Sequence, residues 1–428
     1  MNIIVKNGTV LTHENGFIKS DILIKDGVIA KIDEIIEEEA ETVVDASDQL
    51  VLPGLVNCHN HAAMSLFRGY SDDLRLMDWL EKRIWPIEDQ MSEDDVYWCT
   101  LLAITEMIKT GTTTFADMYF HMEAVASAVS TSGIRASLCR GLIPQGRKRK
   151  DLLRSVEDFT QKYHKSSDGR ITCMIGPHAP FTCPPDFLEE VLSVSDLLNI
   201  PIHIHLAETS EEVEQIYAQY KKSPTRYLYD LKVFDRKCLL AHSVNLSRDD
   251  VHLMIGKDVS ISHNPVSNMK LGCGVAPIPL MLKLGINVAL GTDGLGSAST
   301  LDMFEEIKAV AWMQKNHHGD PTILEAPTLM KMATSNGAQA LGITDVGEIK
   351  IGNKADIIIV TKHTPRLHPL RKDNILASLC YSVNGADVTT SIVNGNVLMK
   401  DRKILTYDEL EVYKKVQEIS NKLLGGIV

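Results

Sequence analysis

The 428 residues are enough for about two to three domains at roughly 150 residues each, or for one barrel of about 250 residues with a smaller companion. With 44% hydrophobic and 23% charged residues, the composition is that of a folded protein with a large core, which excludes disorder. The formal charge of −12 repels phosphate backbones and anionic lipid, which argues against a nucleic-acid or membrane-surface role.

The opening stretch, Met1 to Gly8, lacks the charged start and apolar run of a signal peptide. No apolar segment approaches the ~20 residues that span a bilayer. The eight cysteines (Cys58, Cys99, Cys139, Cys173, Cys183, Cys238, Cys273, Cys380) form no CxxC pair, which predicts buried thiols in a reducing compartment, the cytoplasm.

Residues 1 to about 50 read as short strands punctuated by turn signals: Ile3-Ile4-Val5 before Asn7-Gly8, Ile22-Leu23-Ile24 before Asp26-Gly27, then Val28 to Ile32. Asn-Gly and Asp-Gly between apolar runs are hairpin signals. The same texture returns in Ala355 to Val360, in Ser391-Ile392-Val393 before Asn394-Gly395, and in Val397 to Met399. The two ends therefore predict one small β-sandwich domain, residues 1–50 plus 346–428, closed by a C-terminal helix.

Between them, strand-like runs alternate with longer amphipathic stretches, the pattern of repeated βα units. Eight runs stand out: Leu52 to His61, Thr112 to Met118, Ala136 to Leu142, Ile171 to Ala179, Ile202 to Glu208, Cys238 to Val244, Val259 to Asn264 and Val288 to Gly294. They predict an α/β fold, a (β/α)₈ TIM-like barrel over residues 51–345, with its chemistry at the C-terminal ends of the strands.

The first run ends in His59-Asn60-His61, two imidazoles two apart and therefore on one face of a strand. Alone, this pair is weak evidence of a metal, since polar residues often finish a strand. The fifth run ends His203-Ile204-His205-Leu206-Ala207-Glu208, the sixth in His242, and the eighth reaches Asp293. His205 lies nearer its strand's end and is read as a ligand, with His203 a satisfied histidine about 6–7 Å deeper. Three imidazoles and a carboxylate suit a single divalent ion of the Zn²⁺ or Fe²⁺ type that makes hydroxide near neutral pH. Glu208 is placed to exchange protons with substrate, Asp293 to accept the proton of bound water, and His242 to orient the hydroxide.

These motifs, with Gly111-Thr112-Thr113-Thr114, Gly176-Pro177-His178-Ala179-Pro180 and Gly291-Thr292-Asp293-Gly294, resemble those of the amidohydrolase superfamily over nearly the whole chain. Within it they are most similar to the 5′-methylthioadenosine/S-adenosylhomocysteine deaminases. The resemblance implies hydrolytic removal of the 6-amino group of adenine nucleosides by a metal-activated hydroxide attacking C6. It implies His59, His61, His205 and Asp293 as ligands of one divalent ion, Zn²⁺ foremost with Fe²⁺ or Mn²⁺ as alternatives. A carboxylated lysine, usual on the fourth strand of binuclear members, is replaced by His178.

The same resemblance makes Glu88 a ribose-binding carboxylate, Trp79 an apolar wall, His178 a purine or ribose contact, and Arg140 a partner for the amino-acid carboxylate of S-adenosylhomocysteine. It further implies a homodimer or larger homo-oligomer, with an arginine from a neighbouring subunit for which Arg147, Arg149 and Arg154 are candidates. The remaining alternative keeps the metal site and changes the substrate to guanine or an s-triazine. The segment Ser297 to Glu306 reads as scaffold leading into a helix, and His263 receives no role.

Overall fold

The computed structural model describes residues 2–12 and 16–425. Met1 of the opening stretch and residues 426–428 of the expected C-terminal segment lie outside the described residues.

Strands from both chain ends share one nine-stranded sheet. At its centre Gln49–Pro53 pairs antiparallel with Ile357–Thr361 and parallel with Asn2–Thr12. From there the sheet runs outward through Gly16–Lys25 and Val28–Asp33 on one side, and through Val388–Val393, Asn396–Lys400 and Lys403–Ile404 on the other. Ile3, Val5, Val10, Ile22, Ile24, Val51, Ile357 and Ile392 form its own core, each worth about 1.5–3 kcal/mol of burial. The helix Glu409–Leu424 follows the last strand.

Two expectations change here. Asn7-Gly8 is not a hairpin turn, because Asn2–Thr12 is one continuous strand whose register against Gly16–Lys25 shifts between Val5 and Gly8. Asn7, at φ 63°, supplies the left-handed residue of a β-bulge. Asp26-Gly27 and Asn394-Gly395 do link antiparallel neighbours. The first apolar run is also split, since Gln49–Pro53 belongs to the terminal sheet and the chain crosses at Gly54, where a Cβ would stand 2.0 Å from Thr113 Oγ1.

The middle of the chain supplies parallel strands in two sheets. The first contains β1 (Leu55–Asn57), β2 (Thr112–Tyr119), β3 (Arg135–Leu142) and β4 (Gly176–Pro177), with Ile171–Cys173 also on β3. The second contains β5 (Ile202–Leu206), β6 (Cys238–His242), β7 (Val259–His263) and β8 (Asn287–Leu290). Hydrogen bonds join their edges. The Ile175 N–H donates to the Pro201 carbonyl and the His203 N–H to that of Ile175, both at 2.9 Å; at the other edge the Cys58 N–H donates to Leu290 at 2.9 Å. The strands are buried along nearly their whole length, as parallel strands covered by helices must be.

The histidines and acids singled out above as the metal cluster, His59, His61, His205, Glu208, His242 and Asp293, lie at or just past the C-terminal ends of β1, β5, β6 and β8. The bidentate pair of Arg135 with Asp356, at 2.8 and 2.9 Å and nearly inaccessible, ties the start of β3 to the terminal sheet. All eight cysteines are free and buried. Among the described residues no helix is long and apolar enough to cross a membrane.

Candidate active site

Tight backbone turns turn the site residues inward. Ala207, His242 and Asp293, each at or just past the end of β5, β6 or β8, adopt φ of 49°, 69° and 64°, left-handed conformations that cost non-glycine residues energy and cluster at functional sites. The Asp293 N–H donates to the carbonyl of His59 at 2.9 Å, which registers the two segments against each other.

The nitrogen lone pairs decide what this cluster holds. His61 donates Nδ1–H to the carbonyl of Met118 at 2.6 Å, and His205 donates Nδ1–H to that of His178 at 2.7 Å. A carbonyl only accepts, so each neutral ring keeps an unprotonated Nε2, and the two Nε2 atoms stand 3.3 Å apart. Asp293 Oδ1 lies 3.4 Å from His61 Nε2 and 3.5 Å from His59 Nε2. Among the described residues His59 Nε2 is buried with no hydrogen-bond partner.

Lone pair facing lone pair beside a carboxylate is repulsive unless a cation lies between them. Two nitrogens each about 2.0–2.1 Å from a tetrahedral Zn²⁺ are separated by roughly 3.3 Å, so the spacing fits such an ion. His59, His61 and His205 form one group of converging donors, and His59, His242 and Asp293 another.

Asp293 is held by Ser267 and Ser297, whose hydroxyls each donate to Oδ2 at 2.7 Å, and by the Gly294 N–H on Oδ1 at 2.8 Å. Burial opposes its charge, yet the His59 contact and the imidazoles of His242 and His61 keep the carboxyl well below the usual range. Ser297, read from sequence as scaffold, thus touches the site. Its neighbour Gly296 packs so closely on Trp79 that a Cβ would meet the indole at 2.7 Å.

Glu208 follows the left-handed Ala207, and its Oε2 lies 3.7 Å from His242 Nε2. Burial pushes its carboxyl well above the ordinary range, with Asp293 and Glu212 adding to the shift. Burial pushes His242 down to about 3, so the ring is neutral. The Asn268 and Asn264 side-chain amides approach its Nδ1 at 2.9 and 3.3 Å, an arrangement that leaves Nε2 as the donor facing Glu208.

A cavity of about 970 Å³ opens from this cluster, lined among others by Trp79, Glu88, Arg140, His178, Glu208 and Asp293. Glu88 accepts from the Tyr119 hydroxyl at 2.6 Å, and burial raises its carboxyl to about 7 against the opposing effect of that bond. His178 shares Nδ1 with the Thr182 hydroxyl at 3.2 Å; burial lowers it to about 4. Arg140 gives one Nη to both oxygens of Glu123, at 2.9 and 2.7 Å.

Of the three candidate arginines, Arg147 lines this chain's own cavity. Arg149 pairs with Asp186 at 2.6 Å, and Arg154 projects outward near Asp158. His263 is buried, and both ring nitrogens lack a partner among the described residues. Sequence reasoning missed Ser267, Asn264, Asn268, Tyr119 and Glu212. Only Glu212, in the first turn of the helix Ser210–Tyr220 just after Glu208, lies close in sequence to a residue that was singled out.

Imidazoles and a carboxylate converging at the ends of parallel strands, beside a buried glutamate, define a hydrolase dependent on a divalent metal. The chain belongs to the amidohydrolase family, whose model matches residues 50–398. It is 43% identical over 432 residues, spanning all of both chains, to the 5-methylthioadenosine/S-adenosylhomocysteine deaminase of Desulforudis audaxviator. It is 45% identical over 429 residues, 99% of both chains, to the 5'-deoxyadenosine deaminase of Methanosarcina acetivorans. Among solved structures it is similar to an adenosine deaminase from Xanthomonas campestris with bound zinc, at a TM-score of 0.94 and 30% identity over 99% of each chain.

Proposed function

We propose that the protein hydrolytically deaminates adenine nucleosides with small or thioether-linked 5′ groups, giving the inosine derivative and ammonia. The observation that carries this reading is the facing pair of unprotonated Nε2 atoms on His61 and His205, 3.3 Å apart, with Glu208 buried beside them. The names of the relatives from Desulforudis and Methanosarcina favour nucleosides over guanine or triazines.

His59, His61, His205 and Asp293 would hold one divalent ion, Zn²⁺ by the donor set and spacing. When bound, such an ion makes a water molecule acidic enough to supply hydroxide near neutral pH. The protein's own groups do the rest. Glu208, whose burial favours its protonated form, delivers a proton to ring N1 as negative charge builds on the purine, and then shuttles protons to the leaving amine. Asp293 accepts a proton from the nucleophile, and neutral His242 donates from Nε2 to orient it.

Glu88 would accept the ribose hydroxyls, Trp79 wall the cavity, His178 contact the purine or sugar, and Arg140, which lines the same cavity, meet the amino-acid carboxylate of S-adenosylhomocysteine. The reading includes the expected (β/α)₈ barrel over residues 51–345, which the hydrogen bonds between the edges of the two parallel sheets support. The expected terminal β domain of residues 1–50 and 346–428 belongs to it too, supported by the nine-stranded sheet that strands from both chain ends share. The test is to measure metal content and product together. One ion per chain with conversion of 5′-methylthioadenosine to its inosine analogue supports the reading; conversion without any bound metal contradicts it.

A further inference from the structure

The metal site treats its three histidines unequally. His61 and His205 each give Nδ1–H to a backbone carbonyl, whereas His59 gives Nδ1 to a side chain, His203 Nε2 at 2.9 Å. The two rings meet edge to face, 78° apart with centroids 5.0 Å apart, and His203 is completely buried. Its other nitrogen, Nδ1, lies 3.6 Å from Cys139 Sγ, and that thiol lies 3.4 Å from the carbonyl of Asp117.

The protons along this row can run in one sense only once His59 presents a lone pair at Nε2. His59 then carries its proton on Nδ1 and donates it to His203 Nε2, which must be unprotonated. His203 in turn carries its proton on Nδ1, toward the sulfur, and the Cys139 S–H points to the Asp117 carbonyl. The row therefore selects one tautomer of His59 and fixes the tilt of its ring.

We propose that His203 is a positioning residue of the metal centre, accepting from His59 Nδ1–H so that His59 Nε2 is presented unprotonated to the ion. This rests on the metal reading given above. It also assigns a task to His203, the member of the chain's second His-x-His that the reaction itself does not use. Partners that orient ligating histidines are worth about 10–100-fold in metal affinity, and here that partner is an exchangeable side chain.

The experiment compares the full-length protein with His203→Leu, His203→Gln and His203→Asn. It reads zinc affinity by competition with a chromophoric chelator and the visible absorption of the Co²⁺-loaded form. Gln can offer Oε1 to His59; Leu offers no acceptor, and Asn is one bond too short. The expected result is zinc affinity about 10–100-fold weaker in His203→Leu and His203→Asn, a shifted Co²⁺ spectrum in both, and recovery of both readouts in His203→Gln.

Wild-type affinity and spectrum in His203→Leu would overturn the proposal. If the Leu variant fails to fold, the Gln and Asn pair decides, because equal affinities in those two also overturn it. A wild-type protein that binds no divalent ion at all refutes the metal reading instead, so the two failures are distinguishable.

Discussion

Glu212 holds Glu208 in place through the backbone: its two carboxylate oxygens accept the N–H groups of Ala207 at 3.0 Å and Glu208 at 2.9 Å. Those bonds stabilise the left-handed turn that swings Glu208 back over the site. Replacing Glu212 by Ala leaves two buried donors unpaired, at about 1–3 kcal/mol each. If one such loss falls on the positioned Glu208, kcat drops about 10–100-fold. Steady-state kinetics on Glu212→Ala and Glu212→Gln should show the loss in kcat, with KM and zinc content near wild type. A change confined to KM would show that the clamp serves substrate binding instead.

Removing the proton carrier itself has a larger effect. Glu208→Gln should lower kcat about 10²–10⁴-fold while metal analysis finds the ion still present. Because burial raises this carboxyl well above its ordinary range, the group keeps its proton to a higher pH than an exposed glutamate does. The wild-type rate therefore falls at high pH as the N1 proton donor is lost. A pH profile of the residual Gln activity should lack that limb.

Glu88 predicts a pH-dependent KM. Its carboxyl is raised to about 7, so it is mostly neutral at pH 6 and mostly ionised at pH 8. The ionised form is the better acceptor for two sugar hydroxyls, hence KM for a nucleoside should fall as pH rises through about 7. Glu88→Gln should raise KM about tenfold, the loss of a charge-assisted bond, and flatten this dependence. A KM that rises over the same window contradicts the ribose assignment.

Chelation should both inactivate and destabilise the protein, because without a cation the unprotonated nitrogens of His59, His61 and His205 face one another and Asp293. An ion at 1,000 times its dissociation constant stabilises by about 4 kcal/mol, a shift of a few degrees in Tm for a chain of this size. Calorimetry before and after zinc is restored measures it. Ser267→Ala and Ser297→Ala, each of which removes one of the two hydroxyls that donate to Asp293 Oδ2, should each weaken zinc binding by about tenfold.

Much of this site was legible because metal chemistry uses few residue types at strand ends. His59, His61, His205, His242 and Asp293 stood out in single runs, and the fold brings them together from β1, β5, β6 and β8. What supports them was not legible. Ser267 and Ser297 reach Asp293 from segments about 26 and 4 residues away in sequence, and Tyr119 meets Glu88 across 31 residues; nothing in local spacing announces such contacts. The strand ladder was readable from its alternation, but Asn7-Gly8 was not, since the same dipeptide serves a turn or a bulge. Only the pairing of Asn2–Thr12 with Gly16–Lys25 separates the two.

The most direct test of the whole account is ammonia release by the zinc-loaded protein. The substrates are 5′-methylthioadenosine, S-adenosylhomocysteine, adenosine and 5′-deoxyadenosine, alongside adenine, guanine and an aminotriazine. The account predicts release from nucleosides and little from the free bases or the triazine, with activity lost on chelation and in Glu208→Gln. Release from guanine or the triazine alone would contradict the substrate assignment, and undiminished release after chelation would contradict the metal chemistry at its centre.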